Sequence, residues 1–355
     1  MTDTCKFGEQ AVPPPPSLRL RVEGDAIADN WRALDAMSGP AKTAAAVKAD
    51  AYGVGIERAM PALLQAGCRD FYVAHWAEVA GAAAFVDPSG IGVLHGPSSV
   101  EDCAYARAIG VRPVLNSMRQ AGLWQETGGG RCDLMVDTGM NRLGLRPEQL
   151  GDPMVQGLDV DVLMSHLACA DEDSAMNERQ RASFAAVIAQ VPHRRTSLAN
   201  SAGIALGAAF AFDMTRPGIA LYGGVPRPEM ASAIRQVAFP EAAIIQVRDV
   251  PAGETVGYGA TYRATRDLRI GIVALGYADG YLRCWSDVGV FRDGEAELPV
   301  LGLVSMDMTV IDLSAAPHLG EGDWIGADYD LPVAAKRTGL TQYELLTSIG
   351  PRLRR

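Results

Sequence analysis

Thr43-Ala44-Ala45-Ala46-Val47-Lys48-Ala49-Asp50-Ala51-Tyr52-Gly53 is a short apolar run that stops at a lysine and turns at a glycine. A run of this length reads as a buried strand. In an open doubly wound sheet the first strand would feed a glycine-rich phosphate turn. Lys-Ala-Asp-Ala-Tyr-Gly follows here instead, so the reading turns to a closed barrel.

The rest of the first two-thirds supports that choice. Short apolar runs recur at Ala44–Val47, Phe71–Ala74, Ile91–Leu94, Pro113–Leu115, Leu134–Val136, Val162–Met164, Ser197–Ala199 and Gly218–Tyr222. Between them lie amphipathic stretches such as Glu57–Ala66, Glu78–Phe85, Val100–Ile109 and Asn177–Ile188. Eight strand-then-helix alternations predict an α/β fold, a (β/α)8 TIM-like barrel. Upstream, Leu18–Val22 alternates apolar and charged residues as a half-buried strand does, and residues 25–37 carry Ile27, Trp31 and Leu34 at helical spacing.

After Gly224 the texture changes. Ala242–Val247, Leu268–Leu275, Leu298–Val304 and Met308–Leu313 are strand-like and separated by glycine turns, and a last helix is expected over Thr341–Ser348. The expected organisation is a disordered tail over 1–16, a barrel over 17–228 and a C-terminal mostly-β domain over 229–355. The strand at 18–22 is expected to pair with the β domain.

Composition bounds the function. The 355 residues carry 32 basic and 42 acidic side chains, a net charge of −10, which disfavours a nucleic-acid binder. No apolar run reaches the ~18 residues of a membrane helix, and residues 1–16 show no secretory core, so a cytoplasmic protein is expected. The six cysteines include no CxxC pair and read as reduced thiols; the five histidines have no metal-ligand spacing, and no metal is expected.

Lysine occurs only at Lys6, Lys42, Lys48 and Lys336, while arginine supplies the other cations. Lys48 ends the first barrel strand, at the mouth where barrel enzymes do their chemistry. Apolar walls there would favour the neutral, nucleophilic amine, which suits a carbon–nitrogen double bond with an aldehyde cofactor. Position alone leaves a lysine snorkelling to solvent equally open.

Residues 46–53, Ala-Val-Lys-Ala-Asp-Ala-Tyr-Gly, closely resemble the pyridoxal-phosphate lysine motif of bacterial alanine racemases. Further segments match in order: Val136-Asp137-Thr138-Gly139-Met140-Asn141-Arg142-Leu143-Gly144, Ser165-His166-Leu167-Ala168, Ala199-Asn200-Ser201-Ala202 and Arg216-Pro217-Gly218-Ile219-Ala220-Leu221-Tyr222-Gly223. Val256-Gly257-Tyr258-Gly259-Ala260-Thr261-Tyr262, Gly276-Tyr277-Ala278-Asp279-Gly280-Tyr281 and Ser305-Met306-Asp307 complete the series. The resemblance runs from about residue 17 to the C-terminus.

It implies a homodimeric isomerase that interconverts L- and D-alanine with pyridoxal 5'-phosphate and supplies D-alanine for peptidoglycan. Lys48 would hold the cofactor and act as base on one face of Cα; Tyr258 would be the base on the other. A tyrosine ordinarily ionises near pH ~10, so it needs a cationic neighbour; the resemblance places His166 there, linked onward to Arg216. Arg216 would hydrogen-bond the pyridine nitrogen. Ser201, the N–H groups of Gly218 and Ile219, and the Tyr52 hydroxyl would bind phosphate, with Asn200 beside them. Arg142 and the Met306 N–H would bind the substrate carboxylate. In the dimer the resemblance implies, Tyr258 and Met306 complete the partner's site.

Three positions depart from the pattern. Val54 replaces a frequent histidine. Met135 stands where many members carry a carbamylated lysine that orients the carboxylate-binding arginine. Arg142 is therefore expected to be oriented by an acceptor side chain, an anion or a water. Ile349-Gly350-Pro351-Arg352 lacks the phosphate-binding tyrosine some members have, which predicts weaker cofactor binding. A racemase of broader specificity, acting on serine or basic amino acids, would share the scaffold; so would a related decarboxylase, which the second base argues against. A carrier of pyridoxal phosphate without turnover would lack the β domain and Tyr258.

Overall fold

The computed structural model describes residues 14–354; the expected tail lies outside them up to residue 13. The described residues form two compact units, one of residues 21–239 and 329–349, the other of residues 14–20, 240–328 and 350–354.

The first unit is a closed ring of eight parallel strands: residues 42–46 (as Lys42–Thr43 and Ala45–Ala46), Phe71–Val73, Ile91–Val93, Arg112–Leu115, Arg131–Met135, Asp159–Met164, His193–Ser197 and Met214–Thr215. The first strand closes the ring with alternate residues. Lys42 and Ala44 donate their N–H groups to the carbonyls of Asp213 and Thr215 on one side, and Ala45 and Val47 donate to Asp70 and Tyr72 on the other. Small side chains suit this strand because alanines at 44–46 are fully or almost fully buried against both neighbours.

Two sequence expectations need correction. The seventh strand is His193–Ser197, upstream of the expected Ser197–Ala199, because polar Arg194 and Arg195 hide a strand whose outer and inner faces both find ionic partners. The eighth strand is Met214–Thr215; Ile219–Tyr222 is a 3-10 turn, since Pro217 offers no N–H to a ladder.

Side chains fill the ring. Ala44, Tyr72, Val114, Met135, Val162, Met164 and Met214 form an apolar cluster. Beside it lies an ionic network. Asp161 takes Arg131 at 2.5 Å, Arg195 at 2.6 Å and Arg112 at 3.5 Å; Asp133 takes Arg112 at 3.2 Å and the Tyr72 hydroxyl at 3.2 Å; Asp70 takes both arms of Arg195 at 2.9 Å. Around the ring, helices bury one stripe each. Gly24–Ser38 buries Ile27, Trp31 and Leu34 and packs on Ile56–Ala66, which buries Met60 and Leu63.

The second unit is antiparallel. Its central strand, Ala238–Val250, pairs with Leu268–Val273 and with Trp324–Ala327, and Leu18–Val22 joins the same sheet against it. Thr309–Asp312 and the hairpin of Val290–Asp293 with Ala296–Pro299 complete the sheet. A separate small hairpin pairs Thr255–Val256 with Tyr262–Arg263.

The sequence boundary at 228/229 differs from these units, which divide at 239/240, and residues 329–349 return to the barrel. Backbone packing explains the return. The Leu346 carbonyl of helix Gln342–Thr347 lies where a Cβ on Gly53 would stand, and Gln342 accepts from Val225 N–H at 2.7 Å and donates to its carbonyl at 2.9 Å.

Asp161 compensates three arginines, and the guanidinium charge around it holds its carboxyl below the usual range against the opposing effect of burial. Removing one partner of a buried ion pair costs about 3–5 kcal/mol. Asp161→Ala is therefore expected to lower thermal stability by about that amount, read from denaturant unfolding, with Asp161→Asn losing less. An unchanged midpoint in both would show that the network carries no stability.

Candidate active site at the barrel mouth

Strand ends at the barrel mouth surround a cavity of about 560 Å³. Of the residues singled out from sequence, Lys48, Tyr52, Arg142, His166, Asn200, Ser201, Arg216, Gly218 and Ile219 line it. Tyr258 and Met306 belong to the β unit and are 73% and 54% exposed.

Lys48 leaves the first strand and the chain turns sharply after it. Ala49, Asp50, Ala51 and Tyr52 all have φ between 53° and 57°, a run of left-handed residues none of which is glycine. Each such residue costs about 1–2 kcal/mol, so the turn has to be held from outside. Glu78 accepts the Ala49 N–H at 2.7 Å, Asp50 accepts the Ile56 N–H at 2.7 Å, and Gly53 continues the turn at φ 85°. The result sets Tyr52 into the cavity wall, stacked on Tyr222 at 5.1 Å.

Positive charge dominates the cavity. Burial lowers the pKa of Lys48, Arg142 pushes it the same way, and Glu78 opposes both. His166 lines the cavity; burial first, then Arg216, Arg142 and Lys48, pull its pKa down to about 3. These surroundings oppose a positive charge on the imidazole that the resemblance sets beside Tyr258. Arg216 is buried, its own pKa pulled down by burial, and donates to the Ser165 carbonyl at 2.6 Å and to the Ser197 hydroxyl. Among the described residues it meets no carboxylate within ion-pair distance. A guanidinium has five N–H donors, so it retains capacity for an acceptor in the cavity.

The opposite wall is built for an anion. Ser201 accepts from the N–H groups of Gly218 at 2.9 Å and Ala220 at 3.3 Å, which leaves its hydroxyl proton free to donate. Tyr52 approaches Gly218 so closely that a Cβ there would overlap the phenol oxygen. Asn200 has a structural task, capping the turn Ser201–Ala205 through the Gly203 N–H at 2.9 Å.

Met135 is apolar and buried in the wall. The expected acceptor side chain for Arg142 is not present: among the described residues its guanidinium makes no side-chain hydrogen bond or ion pair. Tyr343 is a cavity residue that sequence reasoning missed. Its ring lies 6.3 Å from that of Tyr52, and burial first, then Asp171, raises its pKa. Residues 349–352 hold no tyrosine, whereas the helix Gln342–Thr347 brings Tyr343 to the cavity by its return to the barrel. Tyr72, whose hydroxyl reaches Asp133, also faces the cavity.

The family model for the alanine racemase N-terminal domain matches residues 22–226, and that for the C-terminal domain matches residues 237–355. The chain is 42% identical to the alanine racemase of Acidiphilium cryptum over 95% of this chain and 97% of that one, and 42% identical to that of Rhizobium meliloti over 96% of each. Among solved structures, it resembles the alanine racemase of Bartonella henselae, crystallised with covalently bound pyridoxal phosphate, with a TM-score of 0.88, 33% identity, and 96% and 99% of the two chains covered. The biosynthetic alanine racemase of Pseudomonas aeruginosa gives a TM-score of 0.87 at 32% identity, covering 96% and 98%.

An imidazole kept neutral in the fold makes stability depend on pH. Its folded pKa of about 3 lies below the ordinary 6.5 of a histidine, so the unfolded chain binds the extra proton. This contribution to stability is intact above pH ~6.5 and is lost as pH falls, by at most about 1.4 kcal/mol per pH unit. In the cofactor-free chain, His166→Gln is expected to narrow the gap in melting temperature between pH 7 and pH 4.5. An equal gap in variant and wild type would contradict the neutral imidazole.

Proposed function

The chain belongs to the alanine racemase family, and from that premise we propose how its residues carry out the reaction. The activity is the pyridoxal-phosphate-dependent interconversion of L- and D-alanine. The observation that carries the residue assignment is Lys48: one of four lysines in the chain, at a barrel mouth, with its pKa lowered among other cations.

The cavity fits the cofactor by its donor set. Arg216 has spare donors for a pyridine nitrogen, Ser201 and Tyr52 present hydroxyls, and Gly218, whose N–H donates to Ser201, leaves room for the Tyr52 phenol that a side chain there would displace. Pyridoxal phosphate, when bound, supplies the electron withdrawal that lets the Cα proton leave.

The residues do the rest. Lys48 attaches the cofactor and, once released by substrate, its amine moves a proton at one face of Cα. Arg216 gives up no proton to the ring nitrogen, which tempers the electron withdrawal and favours return of the proton to Cα over transamination. Ser201, Tyr52 and the Ile219 N–H hold the phosphate; the Gly218 N–H, expected from sequence to join them, instead orients the Ser201 hydroxyl, and Asn200 fixes their turn. Arg142 and the Met306 N–H grip the substrate carboxylate. His166 links Tyr258 onward to Arg216.

Tyr258 moves the proton at the opposite face. Its exposure, and that of Met306, support supply of both residues by a second copy of the chain, a homodimer with shared sites. No helix among the described residues is long and apolar enough to cross a membrane; we place the enzyme in the cytoplasm, making D-alanine for cell-wall synthesis.

Lys48→Ala is expected to abolish activity and to remove the absorbance band of bound cofactor that borohydride bleaches in wild type; a band that survives the substitution would end the assignment of Lys48. Tyr258→Phe is expected to lower racemisation about 10²–10⁴-fold while retaining exchange of the Cα proton of one enantiomer with deuterated water. Equal loss of exchange for both enantiomers would count against two separate bases.

A further inference from the structure

The β unit contains an ionic clamp beside Met306. Residues 276–281 and residues 305–308 run side by side: Tyr277 donates to the Ser305 carbonyl at 3.0 Å and Ala278 to the Met306 carbonyl at 2.9 Å. Gly276 lies so close that a Cβ would overlap both the Ser305 and Met306 carbonyl oxygens. Asp279, buried in the first loop, accepts the Gly276 N–H at 3.0 Å. Arg352 then bridges the two loops, with Nε 2.7 Å from Asp279 and Nη1 2.8 Å from Asp307. Gly350 ties its own segment to the Asp279 carbonyl at 2.8 Å.

Met306 is the residue next to Asp307. Its carbonyl is used by Ala278, while its N–H has no acceptor among the described residues and the residue is exposed. A free N–H can receive an anion, but the Asp307 carboxylate on the adjoining residue would repel one. The arginine fork that holds Asp307 cancels this repulsion and fixes the turn in the same contact.

We propose that Arg352 is a positioning residue for substrate binding: by pairing with Asp307 and Asp279 it neutralises the carboxylate beside the Met306 N–H, so that the turn accepts the carboxylate of alanine. This rests on the reading of Met306 as a substrate-binding group. A structural clamp alone would contribute stability; a charge-cancelling one contributes affinity for an anion.

The test uses the full-length enzyme loaded with pyridoxal phosphate, comparing kcat, KM for L- and D-alanine, and competitive inhibition by propionate, a carboxylate without an amine. Arg352→Gln is expected to raise KM and the propionate inhibition constant about tenfold while kcat changes less than threefold. Arg352→Gln with Asp307→Asn is expected to bring both constants back to within about threefold of wild type, because the residue adjoining the Met306 N–H then carries no charge, while Asp279 keeps its bond to the Gly276 N–H. Asp307→Asn alone, at a half-exposed side chain, is expected to leave KM no higher than wild type, and it decides the matter should Arg352→Gln not fold. Unchanged KM in folded Arg352→Gln, no recovery in the double variant, or a raised KM in Asp307→Asn would overturn the proposal. Met306→Pro, which deletes the N–H, separates the two readings. If it leaves KM and propionate inhibition unchanged, the reading of Met306 falls; if it raises both while the Arg352 and Asp307 variants miss their pattern, only the clamp falls.

Discussion

Basic side chains gathered in one cavity without carboxylate partners set the chemistry of this molecule. Lys48, Arg142 and Arg216 share the barrel mouth, and among the described residues none forms an ion pair there. Burial and Arg142 push the Lys48 amine toward its neutral form, burial and the three cations lower the His166 pKa, and burial pulls the Arg216 pKa down. A cavity in this state favours an anion, and phosphate and carboxylate are the anions that the family's cofactor and substrate bring.

Inside the ring the same residue type has the opposite situation. Arg112, Arg131 and Arg195 are paired with Asp70, Asp133 and Asp161 through short contacts. Buried pairs of this kind contribute little net stability beyond holding geometry, but losing one partner is costly. The barrel thus pairs Arg112, Arg131 and Arg195 with carboxylates, while Arg142 and Arg216 at the mouth form no ion pair among the described residues, although Asp137 and Asp171 also line the cavity. Tyr72 touches both regions, its ring in the cavity wall and its hydroxyl on Asp133.

Geometry at the mouth depends on a local arrangement that is unfavourable by itself. Four successive left-handed residues after Lys48 are maintained by Glu78, Asp50 and the glycine at 53, and by the helix Gln342–Thr347 packed over that glycine. Strain of this sort concentrates where side chains must be aimed. Here it turns Lys48 and Tyr52, four residues apart, into the same cavity.

The ordered motifs carried most of the site: nine of the eleven residues chosen from sequence line one cavity, because strand ends in a barrel converge on its mouth. The barrel itself was legible in the alternation of apolar runs and amphipathic stretches. The seventh and eighth strands were placed too late, since Arg194 and Arg195 break the apolar pattern and the run at 218–222 is apolar for packing rather than pairing. Sequence by itself determined the class of fold and, through the order of its motifs, which residues gather at the barrel mouth; the roles expected of them came from the resemblance. Only the tertiary structure decided that His166 is buried among cations, that Arg142 stands without an acceptor side chain, that Tyr343 returns to the cavity and that Arg352 sits against Asp307. Each of those depends on burial or on charges brought together from distant parts of the chain, and the strength of such interactions is a matter of distance in space that residue order does not contain.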